Sequence, residues 1–233
     1  MIENLPDYIN LIFAAATFIT VGIFILAARK TDSSRALVPV LSLTLLILLA
    51  VYAVSSLNGF FLVTNTLPPR FVLAPLPTTL ILLAIVFFFA RNSLSISALQ
   101  TLTVLHIVRL PVEICLHLLY QSGQIPQLMT FEGRNFDILS GLTAPLVAVW
   151  AFRGGKINKP LLVAWNLLAL GLLINIVTHA ILSLETPFQQ LAFEQPNRAV
   201  LYFPFIWLPA IVVPIVFVSH IWSLWQLFRG SSK

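Results

Sequence analysis

The chain reads as an all-α polytopic membrane protein, a bundle of seven transmembrane helices with its N-terminus outside and its C-terminus in the cytoplasm. Three observations predict this. Of 233 residues, 59% are apolar and only 9% charged, and the mean hydropathy is +0.97; soluble domains carry about a quarter charged residues. Apolar stretches near the roughly 20 residues of helix that a hydrocarbon core requires recur along the chain. Lysines and arginines gather in alternate connections between those stretches.

Taken in order, Tyr8–Ala28 and Ala36–Leu57 qualify by length and apolar content. Phe71–Ala90 is shortened by Pro75 and Pro77. Leu94–Tyr120 is long and carries a polar stripe. Phe136–Phe152 is the shortest and is interrupted by Gly141 and Pro145. Leu161–Leu184 follows a basic turn, FRGGKINKP. Val200–Leu227 contains Pro204, Pro209 and Pro214, spaced five apart, and is expected to bend with exposed carbonyls. Prolines are tolerated in membrane helices because neighbouring helices satisfy the freed backbone groups. These spans leave no room for a soluble domain, so residues 1–233 are expected to form one membrane domain.

With the N-terminus outside, Arg29, Lys30, Arg35, Arg91, Arg153, Lys156, Lys159, Arg229 and Lys233 fall inside, against Arg70, Arg134 and Arg198 outside. That bias sets the expected orientation. The acidic residues Glu3, Asp7, Glu132, Glu185 and Glu194 then lie outside. The opening MIENLPDY has Glu3 and Asp7 where a cleavable signal carries cations, so no such signal is expected there. The net charge of +5 does not point to nucleic acid, because no basic stripe with interleaved aromatics accompanies it. Cys115 is the single cysteine, which excludes an intramolecular disulfide.

Two connections on the outer side are long. QSGQIPQLMTFEGRN joins spans 4 and 5, and ETPFQQLAFEQPNR joins spans 6 and 7. In the second, Thr186-Pro187 suits a helix start, and Phe188, Leu191 and Phe193 suit a short interfacial helix. Trp207, Trp222 and Trp225 read as interface anchors or packing.

The most informative motif is the stripe His106, Arg109, Glu113 and His117 in span 4. Steps of three or four residues keep these side chains on one helical face. Ionisable groups inside a bilayer are costly, and they mark functional sites by default. Depth along the spans puts Glu113, His117, Asp137, Asn175 and His179 around a pocket open to the outer side, with Arg109 at its floor and His106 nearby. Span 7, by the same reasoning, carries His220 close to the cytoplasmic boundary. Pro111 is expected to kink span 4 between Arg109 and Glu113.

Three readings of this stripe follow. In the first, the pocket binds or translocates a small or amphiphilic, anionic ligand, such as a lipid, with Arg109 as anchor and Glu113 with His117 as the titratable pair. In the second, His117, His179, Glu113 and Asp137 hold zinc or iron for a hydrolase, or His117 and His179 sandwich a haem. Here Glu113 and His117 form only an E-x-x-x-H pair, and no HExxH helix is present. In the third, the stripe is structural: Arg109 neutralises Glu113 four residues on, and the remaining polar groups are interhelical hydrogen-bond glue. The spans contain no lysine for a retinal Schiff base.

The strings HIVRLPVE, FEGRNFDILSGLTAP, NIVTHAILS and LYFPFIWLP resemble a family of small seven-span bacterial membrane proteins that has no established activity. The resemblance covers nearly the whole chain. It implies the seven-span architecture and a bacterial cytoplasmic membrane, and it supplies no substrate or cofactor.

Overall fold

A computed structural model describes residues 2, 5–31, 35–90 and 94–229. Glu3, Arg91 and Lys233, used above for orientation, lie outside the described residues. Among those described, the chain is helical, and the only β pairing is an isolated bridge between Thr31 and Leu94.

Helix α1 spans Asp7–Arg29, with Asp7 in its first turn and Arg29 in its last, the signs that a helix dipole favours. Helix α2 spans Leu37–Leu57 and stops at Asn58 and Gly59, whose φ of 72° provides the left-handed residue that ends many helices. A 3-10 turn at Arg70–Leu73 leads into α3, Pro75–Phe89. Pro75 occupies the first turn, where a missing N–H costs nothing.

Helices α4 (Ile96–Leu105) and α5 (Arg109–Gln121) form one rod broken by a single 3-10 turn at His106–Val108. Pro111 explains the break: it has no N–H for the Ile107 carbonyl, and its ring crowds that oxygen. Ser95 caps α4 by accepting from the Ala98 N–H at 3.0 Å. Helix α6 spans Ile138–Trp150 and α7 spans Lys159–Leu182, capped by Asn158. A π-turn at Leu208–Val212 precedes α8, Val213–Arg229. Pro214 cannot donate to Ala210, so the preceding turn slips register.

Six of the resulting rods are long and apolar enough to cross a membrane; α6, at 13 residues, is shorter. Leu168, Phe88 and Leu46 are 71%, 68% and 65% exposed. Large apolar side chains at that exposure belong against hydrocarbon rather than water. The inner faces bury Phe13, Phe24, Leu45, Leu82, Leu102 and Trp222. Helix α1 packs on α2, α4, α5 and α8, and α8 also holds α3 and α7.

Three expectations are corrected. The last rod begins at Leu208 rather than Val200, because residues 199–206 form 3-10 and turn structure around Pro204. His220 therefore lies midway along its rod and not near an end. Residues 186–193 form turns, not an interfacial helix: the N–H groups of Gln190 and Leu191 fold back onto the Leu182 carbonyl, both at 2.9 Å. Of the two readings of the tryptophans, packing holds for Trp207 and Trp222: both are buried, and Trp207 donates to the Leu49 carbonyl at 3.1 Å.

The connection 122–137 does more than link two rods. Its end, Asp137, meets Arg109, halfway along the α4–α5 rod, so α6 starts at mid-rod depth. Ile125, Met129, Thr130 and Asn135 are buried along the way. Internal bonds satisfy the irregular backbone: Gly133 N–H to Thr130 O at 2.9 Å, Arg134 N–H to Leu128 O at 3.1 Å and Asn135 N–H to Thr130 O at 3.2 Å. Gly133 is required here, since a Cβ would sit 2.3 Å from the Gln127 carbonyl oxygen.

Candidate functional site

The polar centre is built where the α4–α5 rod breaks. Arg109 opens α5 and is 3% exposed. Its Nη1 donates to Asp137 in a close ion pair and to the Ala169 carbonyl of α7 at 3.2 Å. Its Nη2 lies 2.9 Å from His220 Nε2 on α8. A guanidinium only donates, so Nε2 must accept, and His220 is the neutral tautomer protonated at Nδ1. That N–H then donates to Asn166 Oδ1 of α7 at 2.8 Å. The His106 ring stacks on His220 with centroids 4.0 Å apart, and Trp165 meets His106 edge-on at 5.2 Å. One arginine thus ties α5, α6, α7 and α8 together.

Asp137 precedes the first residue of α6, where the helix dipole favours a negative charge. Its N–H donates to Asn135 Oδ1 at 3.0 Å. The Asn135 amide donates to Glu113 Oε1 at 2.6 Å and to the Met129 carbonyl at 3.0 Å. Glu113 is 2% exposed, and its second oxygen, Oε2, has no hydrogen-bond partner. The expected Arg109–Glu113 pair is therefore replaced by Arg109–Asp137 and Glu113–Asn135. The reason is geometric: the descending connection brings a carboxylate and an amide between the two stripe residues.

Beside Glu113 lies a cavity of about 90 Å³. Its polar lining is Glu113, Asp137 and Asn197; Val112, Leu116, Leu173, Val177, Leu208 and Pro209 are among its apolar walls. Met129, Asn197 and Val200, from the two long connections, also line it. Those connections are bound to each other, with the Arg198 and Ala199 N–H groups on Gln124 O at 3.1 Å and Gln195 Nε2 on Ile125 O at 2.6 Å. Phe71, Pro75, Leu173, Val177, Ile181 and Val213 line both this cavity and a groove of about 400 Å³ between α3 and α7.

The remaining stripe residues lie elsewhere. His117 is near Gln121 at 3.0 Å, stacks on Phe131 at 4.9 Å and stands 3.9 Å from Glu132. Asn175 donates to the Arg134 carbonyl at 2.8 Å, and His179 Nδ1 bonds the Asn175 carbonyl at 2.8 Å. Neither α7 residue lines the cavity; Leu173, Ile176, Val177, Ala180 and Ile181 do. Among the described residues, no three His, Cys, Asp or Glu side chains gather to hold a metal ion. His117, His179, Glu113 and Asp137 are not brought together as a ligand set. His220, Asn166, Asn135 and Asn197 are the polar partners that reading by depth missed. Asn166, a lone amide inside apolar KPLLVAWNLLALG, was detectable by the same cost argument as the stripe.

Fold and site define a class: an all-helical protein of apolar rods, most of them long enough to cross a membrane, with a charged, hydrogen-bonded centre between them. The chain belongs to the family described as a domain of unknown function, DUF8737, whose model matches residues 66–228. That stretch contains every residue of the polar centre and cavity. Comparison with curated proteins and with solved structures found no match for the chain.

Proposed function

We propose that this protein is a seven-span integral membrane protein that binds or translocates a small amphiphilic ligand, received from the bilayer between α3 and α7. The observation that carries this reading is the cavity at Glu113 and Asn197, which shares wall residues with an apolar groove between α3 and α7. Pockets of this kind, mostly apolar with a few convergent polar groups, are the usual form of a ligand site. Irregular backbone at depth is tolerated where it is buried or lines a cavity, and both the 122–137 connection and the π-turn at Leu208–Val212 border this one.

The seventh crossing in this reading combines α6 with the descending connection before it. The N-out, C-in orientation rests on the positive-inside bias. It is supported by one end of the bundle gathering Lys30, which donates to Thr101 at 2.9 Å, and Lys159, which lies over Phe228 at 5.7 Å. A cytoplasmic membrane follows from the same reading. The internal anion Asp137 already holds Arg109, so the ligand's polar end is assigned to Glu113 and Asn197 rather than to the arginine.

The test is Val177→Trp, which fills the groove without touching the polar centre. Native mass spectrometry of the detergent-purified chain should show co-purifying lipid on the wild type and its loss from the variant. Equal lipid retention by both would sink the lateral site.

A further inference from the structure

The unmatched atoms around the cavity specify the chemistry of its ligand. Glu113 gives Oε1 to Asn135, at 2.6 Å, and keeps Oε2 without a partner. Asn197, 1% exposed, donates its amide to the Ala180 carbonyl at 3.2 Å, which fixes the amide orientation and leaves Oδ1 as an unpartnered acceptor. Both residues line the cavity. With Glu113 ionised, both unmatched atoms are acceptors, and they call for a donor.

Charge points the same way. The ionisable groups of the polar centre include Arg109, Asp137 and Glu113, and Arg109 is paired with Asp137. Glu113 forms no ion pair of its own. A buried carboxylate of that kind takes either a proton or a positively charged partner. An anionic head group would face two carboxylates and two unmatched acceptors, whereas a protonated amine supplies up to three N–H donors and one positive charge. The apolar walls, running from Leu116 and Leu208 to the groove at Phe71 and Val177, suit an alkyl chain.

Resting on the amphiphile reading above, we infer that the head group held at Glu113 and Asn197 is an ammonium: the ligand is a cationic, hydrogen-bond-donating amphiphile of the alkylamine class. The experiment titrates decylamine, decanol and decanoate, which share one tail, into the detergent-purified full chain and counts bound probe by native mass spectrometry. Decylamine should bind one to one and about tenfold or more tighter than decanol, with decanoate weakest. Glu113→Gln keeps the side-chain shape and the Asn135 bond, and should remove the advantage of the amine over the alcohol. Val177→Trp should block all three probes. Decanoate binding tightest, or the amine advantage surviving in Glu113→Gln, would overturn the head-group assignment. Equal binding of amine and alcohol, lost together in Val177→Trp, would overturn it while leaving the amphiphile site standing. No wild-type binding of any probe would overturn both.

Discussion

Two regions of polar interior lie one helical turn apart on α5, and they are finished differently. Around Arg109, the guanidinium reaches a carboxylate, a carbonyl and an imidazole on three other helices. Around Glu113, one oxygen is held and the other is left open beside a cavity. The first region has the character of a structural joint, since both terminal nitrogens of the guanidinium reach acceptors on other helices, with only Nε left over, and the joined helices cannot separate without exposing charge in hydrocarbon. The second has the character of a site, since its open carboxyl oxygen belongs to a residue that lines a cavity. The expense of intramembrane charge identifies both regions; the ion pair in the first and the cavity beside the second tell them apart.

The largest effect should come from breaking the joint. Arg109→Met leaves Asp137 buried and unpaired, and should cost about 3–5 kcal/mol of stability, read as a large drop in thermal midpoint in detergent. The double variant Arg109→Met with Asp137→Leu should lose much less than the sum of the two single losses. Strictly additive losses would show that the pair does not act as a unit.

Next in size is the link between the two regions. Asn135→Ala removes the amide that serves Glu113, Met129 and the Asp137 N–H, and should cost about 2 kcal/mol. Wild-type stability in this variant would show that the descending connection is held by other contacts.

Glu113→Gln should act in the opposite direction. Replacing an unmatched carboxyl by a neutral amide of the same shape should raise stability by about 1 kcal/mol. A loss comparable to that of Arg109→Met would place Glu113 in the joint and erase the distinction between the regions.

The smallest effect is expected at the surface pair Glu185–Arg198, where Arg198 Nε donates to Glu185 at 2.9 Å. The bond from Arg198 holds the Glu185 carboxyl below its ordinary range. A depressed carboxylate contributes stability above its unfolded-state value, and that contribution fades as pH falls through its folded-state value. Glu185→Gln should cost no more than about 1 kcal/mol at neutral pH, and the difference should vanish on acidification below the usual carboxylate range. A difference that persists at low pH would assign it to packing. The contrast with Arg109–Asp137 would then measure what burial adds to an arginine–carboxylate pair.

How much was legible in the sequence can be followed residue by residue. The stripe positions His106, Arg109 and Glu113 were found because helical spacing is local and intramembrane charge is rare. Of Arg109's partners, which lie 28, 60 and 111 residues away, Asp137 was placed in the same pocket but not as the paired anion, and Ala169 and His220 were not found, because depth alone does not say which helices are neighbours. His117, Asn175 and His179 share polarity and approximate depth with the site, yet the first two contact the 122–137 connection and His179 bonds within its own helix. His220 was misplaced because three prolines delay the start of its rod, and one proline's effect on helix phase depends on what packs around it.

The sequence by itself determined the helical architecture, the rods α1, α2 and α7 to within a few residues, and the polar face of the α4–α5 rod with its break before Pro111. These follow from composition, from a 3.6-residue period and from a missing N–H, all properties of short stretches of chain. Tertiary structure alone decided that the 122–137 connection descends to mid-rod, that α6 is consequently short, and that Asp137 rather than Glu113 neutralises Arg109. It also decided that the cavity shares its wall with a groove between α3 and α7. The physical reason is that these outcomes depend on how helices are ordered around one another. Apolar surfaces, interchangeable in their attraction to hydrocarbon, do not encode that order; the few buried polar groups that must find partners do.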